Sequence, residues 1–454
     1  MSNRDSLDFA KEPVGSLFRH MFFPTLIGMV SMVVLNITDG AFVGHGVGSD
    51  ALAAVNIVAP LFMVMGAIGL MFGIGSSVVA SIHLAKGNAH AANINLTQGV
   101  GVSVLIGIVL GVLIYTFQRE LCLLFGCSEA LVPLACSYMK WIALMVPFNL
   151  FGMTAMFMVR LDGHPKFAML INCGMAGLNM LLDYILIFPL HMGLEGAAIA
   201  TSTAFSLGNI PLMWFILTHL EKVHFQRIKL TMTSLRLTLR NLVYQMRIGV
   251  SGLLGELAIS SILIVGNYVF IHYLGEDGVA AYSVACYCLP IVFMIGNAIA
   301  NSMQPIMSFA YGAGNGERLA DARRLALRTA LISGLAGMII MCLGSDFVAA
   351  TFLDTRCTAY QLCREGLPLY SPAFLVIAVN VMYIGYLQSI EAARQATLFT
   401  LLRGFVLSIP CFIILPMLIG VSGLWLALPL AELLTAIVMF AVNFRKKNMQ
   451  RQMP

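Results

Sequence analysis

The chain is 454 residues long, 59% hydrophobic and only 10% charged, whereas a soluble domain carries roughly 45–50% apolar and about 25% charged residues. That balance excludes a soluble enzyme or binding module and defines a polytopic membrane protein. The formal net charge of +5 reports membrane orientation, not a nucleic-acid partner.

In chain order, residues 1–19 are polar and mixed in charge, without the apolar core and cleavage site of a signal peptide, so the first apolar run is itself expected to span. The continuous apolar runs suit helices of ~20 residues and not the alternating strands of a membrane barrel. They predict an all-α protein of twelve transmembrane helices. Six lie at 20–43, 51–84, 93–117, 131–159, 165–188 and 194–218, and six more at 242–271, 278–311, 321–343, 358–388, 391–416 and 421–443. A basic stretch with Lys222, Arg227, Lys229, Arg236 and Arg240 separates the sets. The expected organisation is an N-terminal lobe over 1–218, a cytoplasmic linker at 219–241 resting at the membrane surface, and a C-terminal lobe with a basic tail over 242–454. The tail carries Arg445, Lys446, Lys447 and Arg451.

Orientation follows from the basic residues. With the N-terminus inside, twelve helices leave only Arg119, Lys140, Arg356 and Arg364 on the outer side; all the rest, Arg4 included, fall inside. Both termini are therefore expected in the cytoplasm.

A shift of 227 positions, half of 454, superposes His45 on His272, Gly48 on Gly275, Asp50 on Asp277 and Ala53-Ala54 on Ala280-Ala281. The gapless register continues through Gly87-Asn88 on Gly314-Asn315 and Gly196 on Gly423. With six helices per half, the lobes share one orientation, so the repeat is parallel and its pseudo-two-fold lies along the membrane normal.

Charges inside the apolar runs are costly and mark candidate sites. Asp39 lies ~6 Å below the outer end of the first span and Asp183 ~8 Å below that of the fifth, so both share a level. Asn36 precedes Asp39 by one helical turn, and Asn172, Asn179 and Asp183 fall close to one face of the fifth span. Two carboxylates so placed call for protons, cations or a positive partner, which a proton-coupled carrier would exploit. Lys140 could be that partner or could snorkel to the surface. In the second lobe, Glu256 and Arg403 lie ~21 Å and ~18 Å into their spans, and an ion pair there could be structural or part of a site. The repeat sets Gly266 opposite Asp39 and Pro410 opposite Asp183, so the chemistry is not duplicated with the frame. No nucleophile, metal or cofactor constellation appears, and Gly-Ala-Gly-Asn at 312–315 lacks the Lys-Ser/Thr of a phosphate loop.

The run from Pro24 to Ala54 with Asp39, the Asn179-Met-Leu-Leu-Asp183 pattern, the following Gly193-Leu-Glu-Gly-Ala-Ala-Ile-Ala-Thr201 and the two halves resemble the multidrug and toxic compound extrusion (MATE) family over roughly residues 15–445. The resemblance implies a two-lobed carrier of the bacterial cytoplasmic membrane, a monomer and not an enzyme. It would expel cationic or amphipathic compounds in exchange for protons or sodium ions. It implies that Asp39 is the main coupling residue, that Asn179, Asp183 and Thr201 form its partner cluster, and that Glu256 matches a second-lobe acid of some members. Those members also carry an acid in the tenth helix, where this chain has Ala378-Val-Asn380-Val-Met382. Proton coupling is therefore expected before sodium, with no cofactor beyond the ion gradient. The alternatives are a flippase for a lipid-linked sugar, which would want more cationic residues in the membrane, and, more remotely, a membrane enzyme or channel.

Overall fold

The structure is a computed structural model describing residues 7–228 and 231–452, the side chains of 49 and 444–452 excepted. The expected charges at Arg4, Lys229, Arg445, Lys446, Lys447 and Arg451 lie outside that description. Every regular element described is helical: α1 Val14–Gly46, α2 Ser49–Ala85, α3 Ala89–Thr116, the short α4 Gln118–Leu124, α5 Val132–Asp162, α6 Pro165–Ile187, α7 Gly193–Thr218, α8 Met232–Gly312, α9 Gly316–Leu343, α10 Ser345–Phe352, α11 Thr358–Tyr370, α12 Pro372–Ser389, α13 Ala393–Leu401, a π turn Leu402–Val406, α14 Ser408–Ile419 and α15 Val421–Gln452.

Eleven helical stretches among the described residues are long and apolar enough to cross a bilayer, against the twelve expected. The difference is α8. Its 81 residues would rise ~120 Å, about four times the ~30 Å hydrocarbon layer. It breaks at Gly275, where φ 64 and ψ −152 leave the helical region, a conformation glycine adopts freely. The break falls in the gap expected between the seventh and eighth spans, so α8 is long enough for two crossings and the count among the described residues is twelve. The expected tenth span is divided at Ser371, where Pro372 opens α12. The eleventh bulges through the π turn.

The chain forms two compact units. The first comprises 1–253 and 308–316, the second 254–307 and 317–454. In the first, α5 is the most deeply buried span and packs on α2, α3 and α7. Pro147 lacks the N–H that would bond to the carbonyl of Ala143, and Gly111 of α3 meets that carbonyl: a Cβ there would stand 2.6 Å from the Ala143 oxygen. Gly107, one turn earlier, sits equally close to Pro147, so a small-xxx-small pair lets the α3 and α5 backbones touch.

The same unit binds the basic stretch by its backbone. Asp162, at the end of α5, accepts from the N–H groups of Glu221, Lys222 and Val223 at 3.2, 2.7 and 3.0 Å. Asn93 and Thr97 of α3 accept from His224 N and Gln226 N at 3.0 and 2.9 Å. Lys222 donates to the Leu7 carbonyl and lies over the Phe9 ring, tying down the chain before α1; burial holds its ammonium below the ordinary lysine value against the pull of Asp162. From Thr231, whose hydroxyl accepts from Ser234 N at 3.2 Å, the stretch is already helix. Helical pattern and a good N-cap outweigh the basic composition that reads as linker.

The second unit is centred on aromatic packing. Phe270 lies 4.4 Å from Tyr282 and 5.0 Å from Trp425, ring centre to ring centre. Gly366 admits Trp425: a Cβ there would stand 1.9 Å from the indole.

Candidate functional site

The acids of the first unit are brought together by the register of α1 on α6. Gly28 meets Asn172, a Cβ at Gly28 lying 3.0 Å from the Asn172 amide nitrogen, and further along Gly46 meets Ile187, so the two helices run parallel. Asp39 is eleven positions past Gly28 and Asp183 eleven past Asn172. With the same rise per residue on both helices, the carboxyls arrive at one level and interact side chain to side chain.

Asp183 and Asn179 are fully buried, Thr201 of α7 nearly so, and Asp39 half-buried. Asn179 Nδ2 donates to Thr201 Oγ1 at 3.2 Å, which joins α6 to α7. Tyr138 of α5, 1% exposed, closes the cluster within electrostatic reach of both acids. Four buried oxygens receive no donor with hydrogen-bond geometry among the described residues: both of Asp183, Oδ1 of Asp39 and Oδ1 of Asn179. Adjacent carboxylates in a low dielectric repel, and unsatisfied buried oxygens are costly. A proton held between the acids, or a cation on the oxygens, answers both problems.

Lys140 is not that counter-charge: it is exposed and lies over the Trp141 ring at 5.8 Å, while Trp141 Nε1 donates to Glu195 at 2.8 Å. Asn36 is exposed and makes no hydrogen bond to the cluster among the described residues. Tyr138 carries no signal in the sequence, being one tyrosine in an apolar run.

In the second unit the fold gives Arg403 a different partner from the expected Glu256. Arg403 Nε and Nη2 donate to Glu432 Oε1 at 3.2 and 2.7 Å, and Asn380 Nδ2 donates to Glu432 Oε2 at 2.7 Å. The π turn carries Arg403 over the ring of Phe293 at 4.7 Å. Glu432 went unnoticed in the sequence although it is the lone acid of the run 421–443, a signal of the kind that singles out Asp39. Glu256 lies on α8, where its carbonyl accepts from Ser260. No group of three or more His, Cys, Asp or Glu side chains among the described residues could hold a metal ion.

Twelve crossings in two units, with carboxyls buried in the first, define a multi-pass membrane transporter. More particularly, the chain belongs to the MatE family, which matches residues 24–185 and again 253–414. The two matches cover both halves, as the internal repeat requires. The chain is similar to the multidrug export protein MepA of Staphylococcus aureus, at 22% identity over 441 residues, 96% of this chain and 95% of the other. It shares its fold with a multidrug resistance MATE family transporter of the MOP superfamily in an outward-facing conformation, at TM-score 0.90, 22% identity and full coverage of both chains. It shares it equally with a MOP superfamily transporter from Pyrococcus furiosus, at TM-score 0.89, 21% identity and full coverage, whose binding pocket is described as reversed in polarity, suggesting a different function.

Proposed function

We propose that this chain is a secondary antiporter that exports cationic or amphipathic compounds in exchange for protons, with Asp39 and Asp183 as the coupling pair. One observation carries the proposal: the two carboxyls face each other, and among the described residues no donor reaches either oxygen of Asp183 or Oδ1 of Asp39 with hydrogen-bond geometry. Such a pair exchanges one positive charge for another. A proton and a cationic drug then compete for the same negative charge, so each lowers the affinity for the other, and a proton gradient is converted into drug movement. Asn179, Thr201 and Tyr138 are the supporting groups that fix the pair; Asn36, exposed beside Asp39, stands at the approach to it. Glu256 is a candidate second acid on α8. The chain works as a monomer in the bacterial cytoplasmic membrane with both termini in the cytoplasm.

The name of MepA supports multidrug export. In the first unit the acids at the cluster have no cationic partner among the described residues, which favours a cation over the phosphates of a lipid-linked sugar. The test is accumulation of a cationic dye inside sealed inverted vesicles under a proton gradient, a sodium gradient, or neither. Accumulation that collapses with the proton gradient alone is the expected result. Collapse with sodium alone transfers the coupling to sodium, and transport insensitive to both overturns antiport.

A further inference from the structure

The first turns of α8 carry a second feature that export does not use. From Met232 to the break at Gly275 the helix rises on the order of 65 Å, about twice the hydrocarbon thickness. Its beginning therefore extends into the headgroup layer at one membrane surface.

Three faces of this segment do different things. The inner face is polar and pinned to α3: Gln98 Nε2 donates to Thr238 Oγ1 at 2.8 Å, Asn241 Nδ2 to Gln98 Oε1 at 3.3 Å, and Gln245 Nε2 to Asn95 Oδ1 at 3.0 Å. A second face exposes Met232, Leu235, Leu239 and Val243 at 84%, 61%, 64% and 58%, at helical spacing. Along its edge run Arg236, Arg240 and Arg247, all exposed, within about 40° of one another around the axis at ~100° per residue. None makes an ion pair among the described residues. The hydrogen bonds to α3 fix the rotation of the helix, so the apolar face and the basic edge are presented together and cannot turn away.

We propose that this edge is a docking surface for anionic phospholipid, the three guanidinium groups taking headgroup phosphates and the acyl chains lying along the continuation of the apolar face toward the bilayer, at Val243 and Met246. Guanidinium matches phosphate by paired N–H donors, and an apolar stripe beside a basic one is the complement of a lipid whose charged and oily parts adjoin. Water would satisfy the arginines but not the apolar face beside them.

The experiment uses the full chain in nanodiscs of phosphatidylcholine alone or of equal parts phosphatidylcholine and phosphatidylglycerol, with the phosphatidylglycerol retained on extraction measured by native mass spectrometry. Loss of affinity of about fivefold per arginine is expected in R236Q/R240Q/R247Q, with most of it kept in R236K/R240K/R247K. Unchanged retention in the glutamine variant overturns the proposal, as does displacement of the lipid by millimolar inorganic phosphate or a dimer cross-linked through this face. Should the triple variant fail to insert, wild-type binding across a salt series decides: a steep fall with salt is expected, and indifference to salt overturns the proposal.

Discussion

Arg403 and Glu432 form a buried ion pair, at 5% and 0% side-chain exposure and 2.7 Å separation, across the π turn and α15. Two charges removed from water are balanced by each other, by Asn380 and, for Arg403, by the face of the Phe293 ring. Loss of one partner leaves the other uncompensated, at a cost of about 3–5 kcal/mol, whereas removal of both is often close to neutral. Glu432→Gln and Arg403→Met are each expected to lower the thermal unfolding midpoint of the detergent-purified protein strongly, and R403M/E432L less than either. A double variant as unstable as the sum of the singles would show that the two side chains do not act as a pair.

In the first unit the expectation is reversed, because there the charges oppose. Asp39→Asn and Asp183→Asn each remove one of two facing carboxyls and keep its shape, so neither is expected to cost more than about 1 kcal/mol of stability. Each is expected to lower proton-driven dye accumulation at least about tenfold, since the remaining carboxyl has lost the facing acid with which it shares the contested proton. Inverted vesicles with matched amounts of inserted protein give the comparison; normal accumulation in both variants would remove these acids from coupling.

Much of this was legible from residue types alone. The helix count, the two halves and the break near Gly275 follow from apolar length and from glycine, because in lipid the backbone must bond to itself. Asp39, Asp183, Asn179 and Thr201 are polar where polarity is costly, and the fold gathers all four. Which charges pair was not legible. Depth along their helices pairs Glu256 with Arg403, but partnership depends on rotation about the axis, and the π turn shifts that rotation between Leu402 and Val406. Asn36 and Asp39 sit one turn apart, yet one is exposed and the other half-buried, for the same reason.

The contact of Gly111 with Ala143 bears on the packing that holds α5, and with it Tyr138, in place. A Cβ at Gly111 would stand 2.6 Å from a backbone oxygen that has no room to retreat, since Gly107 lies as close to Pro147 one turn away. Gly111→Val is expected to cost about 1–3 kcal/mol by overpacking, read as a lower unfolding midpoint. Gly101, on the same helix with nothing near its Cβ position, is the control: Gly101→Ala should be neutral or mildly stabilising, because alanine favours helix.

Asp162 holds three consecutive N–H groups of the segment after α7, and it is fully buried. Its carboxylate does for that segment what a capping side chain does for a helix start, satisfying donors that no regular structure reaches. Hydrogen bonds to a charged acceptor contribute about 1.5–3 kcal/mol each, so Asp162→Ala should free the segment locally even where the bundle stays folded. Arg227 lies four positions beyond the last of those bonds and is exposed, a ready site for trypsin once the backbone can move. Cleavage there is expected to accelerate at least about tenfold in Asp162→Ala, and less in Asp162→Asn, which retains an acceptor. Cleavage at the wild-type rate would mean that Asn93 and Thr97 suffice to hold the segment through His224 and Gln226.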